Sequence, residues 1–333
     1  NLVIKGGNSS VKTLDGNIDV DGKLTINSST TLDADNSNNY NINLAGDWDN
    51  SGTFNEQAGK VVFDGGSAQT IQNSETFHDM ELNNSSGLSL NGSVTLNGKF
   101  TLSDGVVTTT SSNLLTLNIT TATDSITENS PAASDHIDGP VDVTTEITEI
   151  VTIPVGDGSS RNPVSLKPAS TSSTTWSINY NNSEHSDNSI ASGDPLDEVS
   201  AHEYWTISRS GSADLNKLRL YYDGNSSVDE STEKEGRLVV SHYNGSDWET
   251  AGNISDTAIN NTDGGGTNGY IETSSTISSF SPFTLGTEDE SNLGLPVKLL
   301  KFRAVANKDN VELNWITATE KNNSHFDILR SKN

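Results

Sequence analysis

LDGNIDVDGKLTIN, residues 14–27, and LNGSVTLNGKFTLS, residues 90–103, are one phrase written twice. Leu14 aligns with Leu90, Gly16 with Gly92, Ile18 with Val94, Gly22 with Gly98, Lys23 with Lys99 and Ile26 with Leu102. A strand-like stretch with an Asn-Ser-Ser turn precedes each copy, VIKGGNSSVKT before the first and ELNNSSGLS before the second. The two copies correspond almost position for position, and within each the apolar and polar residues alternate. YNINLAGDWDN, SGTFNEQ, GKVVFDGG and AQTIQNS, between the copies, repeat that texture with Gly, Asn or Asp at every break. Short strands, frequent turns, no helical period and a repeated unit describe a β-solenoid, in which each coil buries its apolar side chains on the coils before and after it. Within SVTLNGKFTL the inward set is Val94, Leu96, Phe100 and Leu102, with Thr and Ser turned to water. Trp48 and Phe54 are expected to cover a coil edge.

The texture changes from about Asp135. Strands lengthen and aromatics accumulate in HIDGPVDVTT, EIVTIPVG, NPVSLKPA, TWSINYNN, EYWTISRS, NKLRLYYDG, RLVVSHYNGSDWETAG and GYIETSSTISSFSPFTLG. About eight closely spaced strands with turn signals between them point to an antiparallel sandwich, with Trp176, Tyr180, Tyr204, Trp205, Tyr222 and Trp248 as core and rim. The expected division is therefore a β-solenoid-like region over 1–134, an antiparallel β-sandwich over 135–287, an acidic linker over 288–294, and over 295–333 the first strands of an immunoglobulin- or fibronectin-like domain. Such a module needs ~90–100 residues and about seven strands. The segment from Leu295 supplies three, with Trp315 buried on the second, so the chain reads as a piece of something larger, a reading that its first residues, without initiator Met or signal peptide, share.

Composition narrows the function classes. Only 31% of the 333 residues are hydrophobic, which fits thin β-layers better than one thick core. Regular alternation with Val, Ile and Leu argues against disorder. With 45 acidic against 19 basic residues the net charge is −26, which argues against any role that grips a phosphate backbone. There is no cysteine, hence no disulfide and no thiolate metal site. No apolar run approaches the ~18 residues that span a bilayer, so no transmembrane segment is expected.

Catalytic signatures are missing. The histidines, His78, His136, His185, His202, His242 and His325, show no paired metal-binding spacing, and His202-Glu203 lacks a second His one helical turn on. No GxSxG elbow and no phosphate-binding glycine loop occurs. Carboxylates abound, which makes a glycosidase pair uninformative as a signal. Two kinds of binding are weighed instead. Oxygen-rich turns offer the hard ligands that Ca²⁺ prefers: Asp15, Asp19 and Asp21; Asp33, Asp35 and Asn36; and above all Asp223, Asn225, Ser227 and Asp229, followed by Glu230. The last run opens like an EF-hand loop but has no central Gly and carries Lys234 where the bidentate Glu belongs, and turn formation explains the same residues. Trp176, Trp205 and especially Trp248 are candidates for stacking on sugars, against the plainer reading that they are core.

The C-terminal stretch LPVKLLKFRAVANKDNVELNWITATEKNNSHFDILRS resembles the LPVELLSF…VxLxWxTAxExNNxxFxIxRS opening of many secreted surface proteins of Bacteroidetes bacteria. The match runs through Leu295, Pro296, Val297, Leu299, Leu300, Phe302, Val311, Leu313, Trp315, Thr317, Ala318, Glu320, Asn322, Asn323, Phe326, Ile328, Arg330 and Ser331. GDWDNSGTFNEQAGKVVFDGGSAQTI resembles the repeats of large adhesin-like proteins of that group, and EYWTISRSG…SSFSPFTLG the sandwich that often precedes the opening. The resemblance implies export across the outer membrane by the type IX secretion pathway, with a sorting domain beyond Asn333, and supplies no catalytic residue. The expected function is a non-catalytic extracellular structural or adhesive protein needing no cofactor. Its partners would be other copies of itself, through strand completion between neighbours into a filament or sheath, or surface glycans. The alternative is a carbohydrate-binding or spacer module of a larger secreted enzyme.

Overall fold

The computed structural model describes residues 1–7, 9–128, 135–228, 238–251, 260–261, 269–273, 275–288, 299–306 and 311–317. The chain is all-β, a β-solenoid of about seven turns joined to antiparallel sheets.

Each coil lays down three short strands, and successive coils pair in parallel on three faces. Face one stacks Leu2–Ile4, Leu24–Ile26, Trp48–Asn50, Gln69–Ile71, Leu88–Leu90, Val106–Thr108, His136–Asp138 and Val155–Asp157. Face two stacks Ser10–Thr13, Thr30–Asp33 and Thr53–Asn55, breaks, and resumes with Glu75–Phe77, Val94–Leu96, Leu115–Ile119 and Val141–Thr145. Face three runs through Ile18–Val20, Ile42–Leu44, Lys60–Phe63, Asp79–Asn83, Phe100–Asp104 and Ile126–Glu128. At ~4.8 Å between paired strands the stack is roughly 35 Å tall.

The repeated phrase marks a corner and not a coil. Its first copy joins face three to face one, and its second joins face two to face three. Both follow an apolar-x-Gly-x-apolar rule, seen again at Leu44–Trp48 and Leu90–Val94, whose two apolar residues point inward. Val20, Leu24, Leu44, Trp48, Leu90, Val94, Leu96 and Phe100 are all buried. The central glycine is set by space: a Cβ on Gly46 would lie 2.3 Å from the carbonyl carbon of Gly22 and 2.4 Å from the amide nitrogen of Lys23 in the coil below. Backbone cannot yield there as a flexible side chain would. Gly46→Ala should therefore lower stability by several kcal/mol, in the range of severe overpacking. Gly66→Ala, where a Cβ meets nothing within 4 Å, is the control, compared by urea unfolding followed by circular dichroism.

Corners also explain the excess of Asn and Asp. A bend leaves amides that the sheet ladder does not reach, and an unpaired buried amide is costly. The next coil down supplies the acceptor. Asn1 Oδ1 accepts from the Lys23 amide at 2.8 Å, Asn17 from Asn41 at 2.8 Å, Asn41 from Lys60 at 2.9 Å, Asp47 from Thr70 at 2.9 Å and Asp79 from Lys99 at 2.8 Å.

Inside, Val94, Leu96, Phe100 and Leu102 are buried as the alternation predicts. Two expectations change. Trp48 and Phe54 do not cover an edge; Trp48 is fully buried, and its ring meets Phe54 at 4.9 Å and Phe77 at 5.1 Å, both edge-on. Aromatic bulk fills the interior where the face-two ladder breaks. Thr101, expected to face water, is also buried, with its hydroxyl 3.2 Å from that of Thr127 in the next coil.

The solenoid does not stop near residue 134. His136–Asp138, Val141–Thr145 and Val155–Asp157 still pair in parallel with the preceding coil, and on face two pairing turns antiparallel where Val141–Thr145 meets Thr174–Asn181. Face two, from Glu75–Phe77 on, thereby continues without a gap into Thr174–Asn181, Tyr204–Gly211, Pro282–Thr287, Leu238–Tyr243 and Trp248–Thr250, and with Glu198–Val199 paired to Pro282–Thr287 it makes a ten-stranded sheet. A five-stranded antiparallel sheet of Val151–Ile153, Val164–Pro168, Leu215–Tyr222, Gly269–Glu272 and Asn260–Asn261 completes the sandwich. One hydrophobic cluster runs from Val20 in the first coil to Leu285 in the sandwich. Solenoid and sandwich share a sheet and a core.

The expected linker lies outside the described residues beyond Glu288. Of the C-terminal segment, Leu299–Ala306 and Val311–Thr317 form an antiparallel hairpin with Phe302 opposite Trp315. Trp315 is half-buried, not buried, and Phe302 is 62% exposed. The expected third strand, with Phe326 and Ile328, lies outside the described residues.

Candidate functional site

The calcium candidate resolves into a turn. Asp223 Oδ1 accepts the Asn225 amide at 2.8 Å, its Oδ2 meets Asn225 Nδ2 at 3.2 Å, and its carbonyl accepts the Ser226 amide at 3.0 Å. These bonds form an Asx-turn. Ser227 follows with a φ of 58°, and Asp229, Glu230 and Lys234 lie outside the described residues. Asp35 is a turn-former too: the Asn38 and Ser37 amides on its Oδ1, at 2.8 and 2.9 Å, hold its carboxyl below the usual carboxylate range. Among the described residues no three His, Cys, Asp or Glu side chains gather as a metal would require, the Asp15, Asp19 and Asp21 turn included.

The tryptophans offered for sugar stacking are interior. Trp248 has no exposed surface; its Nε1 donates to the Asp187 carbonyl at 2.6 Å, and its ring packs against His185 and Tyr243 at 5.2 and 5.4 Å. It pins the 184–199 segment over the sheet edge, together with Leu196, Val199 and Val239. Trp176 and Trp205 are equally buried, donating to Thr145 Oγ1 and the Asn162 carbonyl, each at 2.9 Å. No face of these rings is open to a sugar.

Two polar constellations were missed. Glu203 sits 1% exposed in the sandwich core, where its Oε2 accepts from Tyr180 at 2.8 Å and from Asn162 Nδ2. Burial pushes its carboxyl up to about 7, although hydrogen bonds from Ser226, Tyr180 and Asn162 favour the charge. Parity was the available signal: Glu203 shares its side of the strand with Trp205 and Ile207. The second constellation joins Glu249, His242 and Ser281. Glu249 Oε1 lies 3.4 Å from His242 Nδ1, and His242 Nε2 lies 2.8 Å from Ser281 Oγ, the order of an acyl-transfer triad. Surroundings direct it elsewhere. The Ser281 hydroxyl donates to the Tyr243 carbonyl, Pro282 removes the next backbone donor, and burial pulls the His242 imidazole below its ordinary value. The geometry ties three neighbouring segments together.

On the solenoid flank, a shallow depression of about 560 Å³ is lined by Asn36, Asn39, Asn55, Glu56, Gln57 and Ala58. It forms because the second coil turns from face two to face three through a long corner, residues 34–41, above the shorter corner 56–59. Asp33 is the hub. Its carboxylate accepts from Asn55 Nδ2 at 2.9 Å, Gln57 Nε2 at 3.3 Å and the Asp35 amide at 2.8 Å, while Asn39 Oδ1 takes the Ala58 amide at 3.0 Å.

No helix among the described residues is long and apolar enough to cross a membrane, which says nothing of a β-barrel. Compared with protein-family models, with curated proteins and with solved structures, the chain matches none.

Proposed function

We propose that this chain is a non-catalytic extracellular structural and adhesive segment, a stiff β-rod that holds a polar flank away from a bacterial surface. The observation that carries the reading is continuity: the ten-stranded sheet begins in the solenoid and ends in the sandwich, over one core. A rod without a hinge suits a spacer, and a strongly acidic surface keeps such a spacer soluble and separate from nucleic acid. Export by the type IX pathway belongs to the same proposal and rests on the LPVKLL opening. Contact between copies is supported by the hairpin, where Phe302, Val311 and Ile316 are each more than half exposed. Apolar surface of this kind favours strand completion by a neighbour.

Small-angle scattering combined with multi-angle light scattering tests it. The expected result is an elongated, rigid particle whose mass rises with concentration. A compact profile, or two bodies moving independently, would sink the rod; an unchanging monomer mass at high concentration would sink assembly.

A further inference from the structure

We infer that the depression at Asn36, Asn55, Glu56 and Gln57 is a binding site for a neutral glycan. This rests on the adhesive reading and gives it a ligand class and a place. Asn55 and Gln57 direct their amide NH₂ groups onto Asp33, which leaves both carbonyl oxygens without a partner among the described residues. The Glu56 carboxylate and the Asn36 side chain are likewise uncommitted there, and both lie in the same lining. The outcome is one free carboxylate beside two amide oxygens that the Asp33 hub positions, with Asn36 and Ala58 on the exposed rim.

Ligand size and charge follow. At about 560 Å³ the depression is open and shallow, and wider than a single dehydrated cation needs. Asp33 already accepts from several amide donors, and among the described residues no three carboxylates gather here as a cation would require. Acceptors in excess over donors call for a ligand rich in hydroxyl groups, two of which a carboxylate can accept side by side. A net charge of −26 disfavours sulfated, phosphorylated or sialylated sugars, leaving neutral ones.

Backbone geometry agrees. Three of the six non-glycine residues described with positive φ, Asp35 at 66°, Asn39 at 53° and Gln57 at 51°, lie in these two corners. Asn and Asp tolerate that conformation, whereas Gln gains no such local help, and strain of order 1–3 kcal/mol tends to persist where function holds it. Gln57 contributes to the Asp33 hub and to the lining at once.

The test is saturation-transfer NMR on the whole chain in EDTA, with neutral gluco-, manno-, galacto- and N-acetylglucosamine trisaccharides, and with sialylated and sulfated counterparts. Variants Glu56→Gln and Asn36→Ala leave the Asp33 hub intact and should unfold at the wild-type midpoint. Expected is binding of at least one neutral trisaccharide, weakened about tenfold or more in either variant, with the charged counterparts binding more weakly. No binding of any neutral sugar at ~10 mM overturns the inference, as does binding that both variants retain or a preference for the charged sugars. Each of these outcomes is independent of the scattering result, so the rod can stand while the site falls, and the reverse.

Discussion

Replacing Trp48 by alanine should destabilise the chain by about 4 kcal/mol or more, the upper part of the range for buried Trp and Phe truncations. Trp48 stands on face one opposite Leu24 and Ile71, and its ring fills the interior at the coil where face two loses its ladder. Removing it opens a cavity bounded by Phe54 and Phe77 with no strand pairing on that face to close it. A second loss adds to the first. Trp48 Nε1 donates to Glu75 Oε2 at 2.6 Å, beside Asn50 Nδ2 at 2.7 Å, and burial already raises the Glu75 carboxyl. Trp48→Phe separates the two effects, keeping most of the volume and deleting the donor. It should lower stability by about 1–2 kcal/mol at neutral pH and by less below pH 4, where Glu75 is protonated in the unfolded chain as well. Urea unfolding at both pH values provides the comparison, and equal losses for Trp48→Ala and Trp48→Phe would place the effect in the hydrogen bond alone.

Glu203→Gln should flatten the pH dependence of stability. The carboxyl is raised from 4.5 in the unfolded chain to about 7 in the fold, so between those values the folded form carries the extra proton. Its contribution is fully present below pH 4.5, declines as pH rises towards 7 and is constant above, a difference of about 3 kcal/mol. Wild type should therefore be more stable at pH 5 than at pH 8. Glutamine can accept from Tyr180 and Asn162 through its carbonyl and never ionises, so the variant should match or exceed wild type above pH 7. Glu75, shifted in the same direction, leaves a residual slope of the same sign. Identical slopes in wild type and variant would show that Glu203 is not charged at the expense of the fold.

The inward set Val94, Leu96, Phe100 and Leu102 was legible because the alternation of apolar and polar residues is local, and all four are buried. What the corners join was not legible, since pairing such as Leu24 with Trp48 or Trp48 with Ile71 depends on how many residues each coil spends in its bends. For the same reason Val141–Thr145 read as the start of a separate sandwich when it is the rung on which the sandwich is built. Trp248 misled for a different reason: its strand is three residues long, too short for alternation to reveal a side. Glu203 was legible by parity with Trp205, but a charged residue reads as surface until its partners, Tyr180 and Asn162, arrive from other strands. The flank depression could not be seen at all, because it is made by the unequal lengths of two corners.

Strands that run around the rod place their hydrogen bonds along its axis, and that orientation decides how the molecule behaves under load. Tension applied at the two ends strains one rung at a time, so coils peel away in succession and the rest keep their structure. Each freed coil of roughly twenty residues lengthens from ~4.8 Å of stack to ~70 Å of extended chain. A solenoid built this way yields in small steps, one coil at a time.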